Sequence, residues 1–172
     1  MSVMAVISKF FVVFCVVLAL GYCCIACRSS SSENGDTVLK KSNEAFDYAW
    51  AHAKYLTKDT ILTLPNSNDR FRVSSTLDSN SQILLLVKER IANADNVSFY
   101  FRGGKVTFIE KEKQDTNASD GPTHGLYNIV DDQVAGYIVN SSDKFDVQEE
   151  LKQAYWLRKN LGVSLKRLKK VK

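Results

Sequence analysis

Val97-Ser-Phe-Tyr-Phe-Arg-Gly-Gly-Lys-Val-Thr-Phe-Ile-Glu110 decides the fold class. Two runs rich in aromatic and β-branched residues flank Gly103-Gly104, and a two-residue Gly-Gly loop supplies the positive φ angles of a tight hairpin. A simple register pairs Phe101 with Val106 and Phe99 with Phe108. Side chains alternate across a strand, so both pairs and Val97 fall on the core face, with Tyr100, Arg102, Lys105 and Thr107 on the outer one. Arg102 and Lys105 then face each other at a solvated tip, and Tyr100 is available to a partner.

Strands and helices extend outward from this hairpin. Ser42 is a candidate N-cap, and Phe46, Ala49, Trp50 and Ala53 recur at helical spacing, predicting a helix over 42–57. Strand-like runs 60–64 and 71–77 flank Pro65-Asn66-Ser67-Asn68-Asp69, whose residues favour turns. The apolar stretch from Ile83 to Val87, continuing to Ala94, places Leu84, Val87 and Ile91 on one face and predicts a largely buried helix. Beyond the hairpin, 110–125 reads as a polar surface loop, 126–130 and 134–139 as strands, and Asp146 with Glu149 as a capping box for a last helix that breaks at Gly162. The order α-β-β-α-β-β-β-β-α predicts a single small α+β domain, a mostly antiparallel sheet packed against two or three helices.

The chain has 172 residues with 45% hydrophobic, 10% aromatic and 24% charged residues, enough apolar surface for one real core. Eight Gly and two Pro exclude a collagen-like or Pro-rich chain. All four Cys (Cys15, Cys23, Cys24, Cys27) lie in the first 27 residues, so the folded part has no disulfide of its own and no Cys-based metal site. No metal or cofactor is expected.

Residues 10–27, FFVVFCVVLALGYCCIAC, are uncharged between Lys9 and Arg28 and long enough to cross a bilayer as a helix. They also have the parts of a secretory signal, following the basic start of the chain. Ala19 and Gly21 suit a cut before Tyr22, and Cys24 and Ala26 one before Cys27. Cys27 is a candidate for lipidation in the manner of a bacterial lipoprotein, and Cys23, Cys24 and Cys27 for acylation if the segment is retained. The organisation expected is 1–27 signal or anchor, 28–36 flexible linker (RSSSSENGD), 37–162 domain and 163–172 basic tail. Every version puts the domain outside the cytoplasm or across an internal membrane. Sequons at Asn96, Asn117 and Asn140 are glycosylation candidates on such a route.

The formal charge of +4 is unevenly spread. Arg158, Lys159, Lys166, Arg167, Lys169, Lys170 and Lys172 are the seven cations of the last twenty residues, which contain no acid, whereas residues 1–152 carry 16 basic against 19 acidic residues. In VSLKRLKKVK the cations interleave with Val163, Leu165, Leu168 and Val171, which as a helix makes an apolar edge flanked by charge. Closely spaced cations suit closely spaced anions, a sulfated glycan or acidic lipid above all; nucleic acid is not the expected partner. The expected function is therefore a secreted or membrane-tethered binding protein whose basic C-terminal segment contacts an anionic surface. The alternative is a membrane-anchored structural or assembly component of an envelope or membrane protein complex, contacting a protein partner. An enzyme is not expected. His52 sits mid-helix, the adjacent pairs Asp131-Asp132 and Glu149-Glu150 point apart, Gly103-Gly104 precedes no helix, and only His124, between glycines, has a setting suited to chemistry.

Overall fold

The computed structural model describes residues 33–57, 59–64, 68–113, 123–140 and 145–169, with side chains described as far as Leu161. Residues 32–172 form one compact unit. The expected linker, from Glu33 on, is already ordered. The 10–27 run lies outside the described residues, among which no helix is long and apolar enough to cross a membrane.

Helix α1 spans Gly35–His52. Asn34 caps it, its Oδ1 accepting hydrogen bonds from Thr37 N at 2.9 Å and Thr37 Oγ1 at 2.8 Å. The helix thus starts before Ser42 and ends before Thr57. Lys54 N donates to Leu77 O at 2.8 Å and Thr57 N to Ser75 O at 2.9 Å, so the sheet edge claims the segment that helical periodicity had assigned to α1. Val38 and Ala49 are its buried residues, whereas Phe46 and Trp50 are half exposed. The aromatic periodicity identified the helix but not its core face.

The strands are β1 (Tyr55–Leu56), β2 (Thr60–Thr63), β3 (Arg70–Leu77), β4 (Ile83–Arg90), β5 (Asn96–Arg102), β6 (Lys105–Lys113), β7 (Thr123–Val130) and β8 (Gln133–Val139). They form one antiparallel eight-stranded sheet in the order β1-β3-β4-β5-β6-β7-β8, with β2 also pairing β3. From β3 onward it is a meander. Helix α2, Val147–Lys169, follows; Asp146 Oδ1 accepts from Glu149 N at 3.0 Å, the predicted cap. The helix runs through Gly162 without a break.

The main departure from expectation is β4, a strand where a helix was predicted. Its first four residues are all buried, because the sheet has a core on each face. Leu86 joins Phe99, Phe101, Val106 and Ile109 under Leu151, Ala154 and Leu157 of α2. Leu84 and Leu85 join Tyr100, Phe108 and Leu126 under Val38 and Ala49 of α1. A strand buried on both faces reads as a continuous apolar run, and periodicity alone does not separate it from a buried helix.

The hairpin forms as predicted at its tip, with Gly103 at φ 59° and Gly104 at φ 82°, and Phe101 opposite Val106. Beyond it a β-bulge shifts the register: Tyr100 pairs with Phe108 and Phe99 with Ile109. A slip of one residue turns every later side chain to the other face. Phe108 therefore belongs to the α1 side, opposite the face predicted; Tyr100 keeps its predicted face, but α1 covers that face and buries it, so it is not open to a partner. The turn Asp131-Asp132 has two positive φ values, 51° and 60°, which is the hairpin geometry that Asp tolerates better than most residues.

Candidate anion-binding site

The tips of the two hairpins, Gly103-Gly104 and Asp131-Asp132, lie at one end of the sheet, and α2 is seated against both. Gln148 Nε2 donates to Asp132 O at 3.0 Å. Tyr155 Oη donates to Asp132 Oδ1 at 2.5 Å and accepts from Val106 N at 3.3 Å. Burial, reinforced by the Asp132 carboxylate, raises the Tyr155 phenol above its ordinary pKa, so it remains a donor at neutral pH.

One turn further along α2, Arg158 lies against the hairpin tip. A Cβ on Gly104 would stand 2.6 Å from Arg158 Nη2, so the missing side chain is what admits the guanidinium. Gly104 adjoins Lys105, which pairs with Arg102 across the tip. Three cations from two distant parts of the chain therefore lie at this end of the sheet, Arg102 and Lys105 toward the α1 face and Arg158 on α2 across the turn. Arg102 lies over the Tyr48 ring of α1, 4.2 Å from its centroid, and among the described residues it has no carboxylate partner. Lys105 Nζ is 3.6 Å from Asp131 Oδ1, both well exposed, an ion pair that water and salt weaken. Between α1 and this end of the sheet is a cleft of about 360 Å³ lined by Lys41, Glu44, Arg102, Thr107, Asn128 and Asp131, among others.

Of the cations singled out in the sequence, Arg158 and Lys159 are exposed on α2, while Lys166, Arg167 and Lys169 continue the same helix. Lys170 and Lys172 lie outside the described residues, as do Cys23, Cys24, Cys27 and Asn117. From the sequence alone Arg102 and Lys105 are only a mildly repulsive pair across the hairpin tip. Their link to Arg158 rests on how α2 docks, and the local signal for it is a glycine at the second position of the turn.

The two histidines, Glu110 and Tyr100 are engaged structurally. His124 lies on β7 rather than in a loop, its Nε2 2.9 Å from Glu110 Oε1, while Glu110 Oε2 accepts from Tyr100 Oη at 3.0 Å. Burial first, then the Glu110 charge, pushes the Tyr100 hydroxyl well above its ordinary range. His52 caps the end of α1, its Nδ1 2.8 Å from Tyr48 O. Asn96 opens β5, and Asn140 Oδ1 accepts from His124 N at 2.6 Å. Among the described residues no group of three or more His, Cys, Asp or Glu could hold a metal ion.

Comparison with protein-family models, with curated proteins and with solved structures found no match for this chain. The functional argument therefore rests on the geometry of the site.

Proposed function

We propose that this chain is an extracytoplasmic binding module, delivered to or held at a membrane by its 10–27 segment, that contacts an anionic surface through the tip of the sheet and the basic end of α2. The observation that carries the reading is the seating of Arg158 on Gly104. It joins the hairpin tip that carries Arg102 and Lys105 to a helix that continues to Lys169, which supports reading the tip and the helix as one cationic end. The last twenty residues contribute seven cations without an acid to offset them. Each exposed Lys or Arg near a charged surface adds about 1 kcal/mol at a membrane, so several acting together exceed thermal energy. The ligand chemistry is a row of closely spaced sulfates or phosphates, from a sulfated glycan or an acidic lipid.

Deletion of Ser164–Lys172 tests the reading. The full chain is expected to be retained on heparin and on vesicles containing an acidic lipid at low salt, and the truncated chain to lose most of that retention while keeping its far-ultraviolet spectrum. Loss on heparin alone assigns the glycan; loss on vesicles alone assigns the lipid. Unchanged retention on both rules out the helix end as the contact.

A further inference from the structure

At 3.6 residues per turn, α1 presents four flanks. Val38 and Ala49 face the sheet, and Lys41, Glu44 and Tyr48 face the cleft and Arg102. Lys40, with its side chain 77% exposed, and Asp47 face water. The remaining flank, turned away from the cleft, carries Leu39, Phe46 and Trp50, exposed by 49%, 50% and 48%. The Phe46 and Trp50 rings are in tilted contact, with centroids 6.0 Å apart, and Leu39 lies two turns before Phe46 on the same flank. Among the described residues nothing covers it, although core positions for such residues exist on the same helix.

The sequence indicates what does. The uncharged run ends at Cys27, and only Arg28–Asn34, seven residues, separate it from the first turn of α1. At about 3.5 Å per residue that stretch spans at most ~25 Å, so a retained span or a lipid on Cys27 confines α1 to the vicinity of the bilayer surface. Trp and Phe at the edge of a helix are the side chains that favour the interface between headgroups and acyl chains. A second copy of the chain is a poorer occupant. Three half-exposed side chains offer roughly 300 Å², against about 800 Å² per partner in a stable dimer.

We infer that the Leu39-Phe46-Trp50 flank of α1 docks on the bilayer that holds the chain. This rests on the tethered form of the proposed function and adds an orientation to it. The cleft and the hairpin tips lie toward the opposite flank, so the docked domain turns Arg102, Lys105 and Arg158 away from its own membrane. Their anionic partner is then a surface facing that membrane or a sulfated glycan between the two.

The test uses the full chain with Trp156→Phe, leaving Trp50 as the single indole, reconstituted in phosphatidylcholine vesicles. Trp50 emission is expected to shift to the blue relative to detergent-free urea-unfolded chain and to be quenched by phosphatidylcholine brominated near the headgroup. Both effects should be lost in Leu39→Ser/Phe46→Ser, which still floats with the vesicles. A second version with Trp156→Tyr guards against a misfolded background. A chain that floats with the vesicles but leaves Trp50 unquenched overturns the docking and leaves the tether intact. A chain that does not float overturns both. Protection of Trp50 that appears only with dimer in sedimentation assigns the ridge to a second copy and overturns the inference.

Discussion

Glu150→Ala is expected to be among the most destabilising single substitutions in the protein, by about 3–5 kcal/mol at neutral pH, because it strands a buried cation. Lys88 projects from β4 into the core beneath α2, its side chain 5% exposed, and Nζ lies 2.5 Å from Glu150 Oε2 and 2.6 Å from Gln153 Oε1. The Phe71 and Phe99 rings flank it at 5.3 Å and 5.8 Å. The pair orients α2 on the sheet, yet a buried ion pair has little net stability of its own, since desolvation offsets attraction. Lys88→Met in the Glu150→Ala background should therefore recover most of the loss. Urea unfolding of the three variants checks this; a Glu150→Ala cost under about 1 kcal/mol, typical of an exposed pair, would contradict the burial.

The same pair fixes a pH dependence. Burial lowers the Lys88 pKa below its ordinary 10.5, outweighing the opposing pull of Glu150. The folded chain gives up this proton at lower pH than the unfolded chain does, so the unfolded state binds more protons in that window and stability rises with pH toward 10.5. Tyr100 acts in the other direction. Its raised pKa means the folded chain keeps a phenol proton that the unfolded chain loses above the ordinary 10.0, and stability falls there. Removing Glu150 takes away a contribution that raises the Lys88 pKa, so the rising limb should begin at lower pH in Glu150→Ala.

Tyr100→Ala is expected to cost about 3–5 kcal/mol, the range for a large aromatic removed from a core. The ring is only 6% exposed and packs edge-on against Phe108, with centroids 6.2 Å apart and planes at 70°. Loss of the hydroxyl alone, in Tyr100→Phe, should cost about 1.5–3 kcal/mol, because the bond to Glu110 involves a charged acceptor. Tyr100 is buried because α1 covers its face of the sheet; were that face open, both substitutions would fall within about 0.5 kcal/mol of wild type in the same urea titration.

That bulge shows where the sequence stopped informing the fold. The Gly-Gly turn chemistry was legible because only certain residues tolerate two positive φ angles, and the tip pairs as expected. The extra residue at Thr107 carries no comparable local mark, so the simple register puts Phe108 on the wrong face; Tyr100 has the face expected, and what the hairpin sequence does not show is that α1 covers it. Asp146 as a cap was legible for the same local reason as the turn. β4 was not, since Leu84, Leu85 and Leu86 are buried by two different helices, and one-sided periodicity has no meaning for a strand covered on both faces. Aromatic spacing in α1 misled in the opposite sense: Phe46 and Trp50 mark a ridge outside the core, while small Val38 and Ala49 allow the close approach to the sheet. For the site, the cationic end of the chain was plain from composition. The contribution of Arg102 and Lys105 was not, because it depends on Arg158 occupying the space above Gly104 at a great separation in sequence.

The claim that the hairpin tip and α2 form one anion-binding surface is tested most directly by the salt concentration that elutes the full chain from heparin. Arg102→Glu/Lys105→Glu/Arg158→Glu leaves all seven residues 166–172 in place and alters only exposed side chains. If the tip contributes, this variant elutes at markedly lower salt than wild type, because fewer counterions are displaced on binding. Elution at the wild-type salt concentration, with the fold intact by far-ultraviolet spectrum, would contradict the account and confine any anion contact to Lys159 and the residues beyond it.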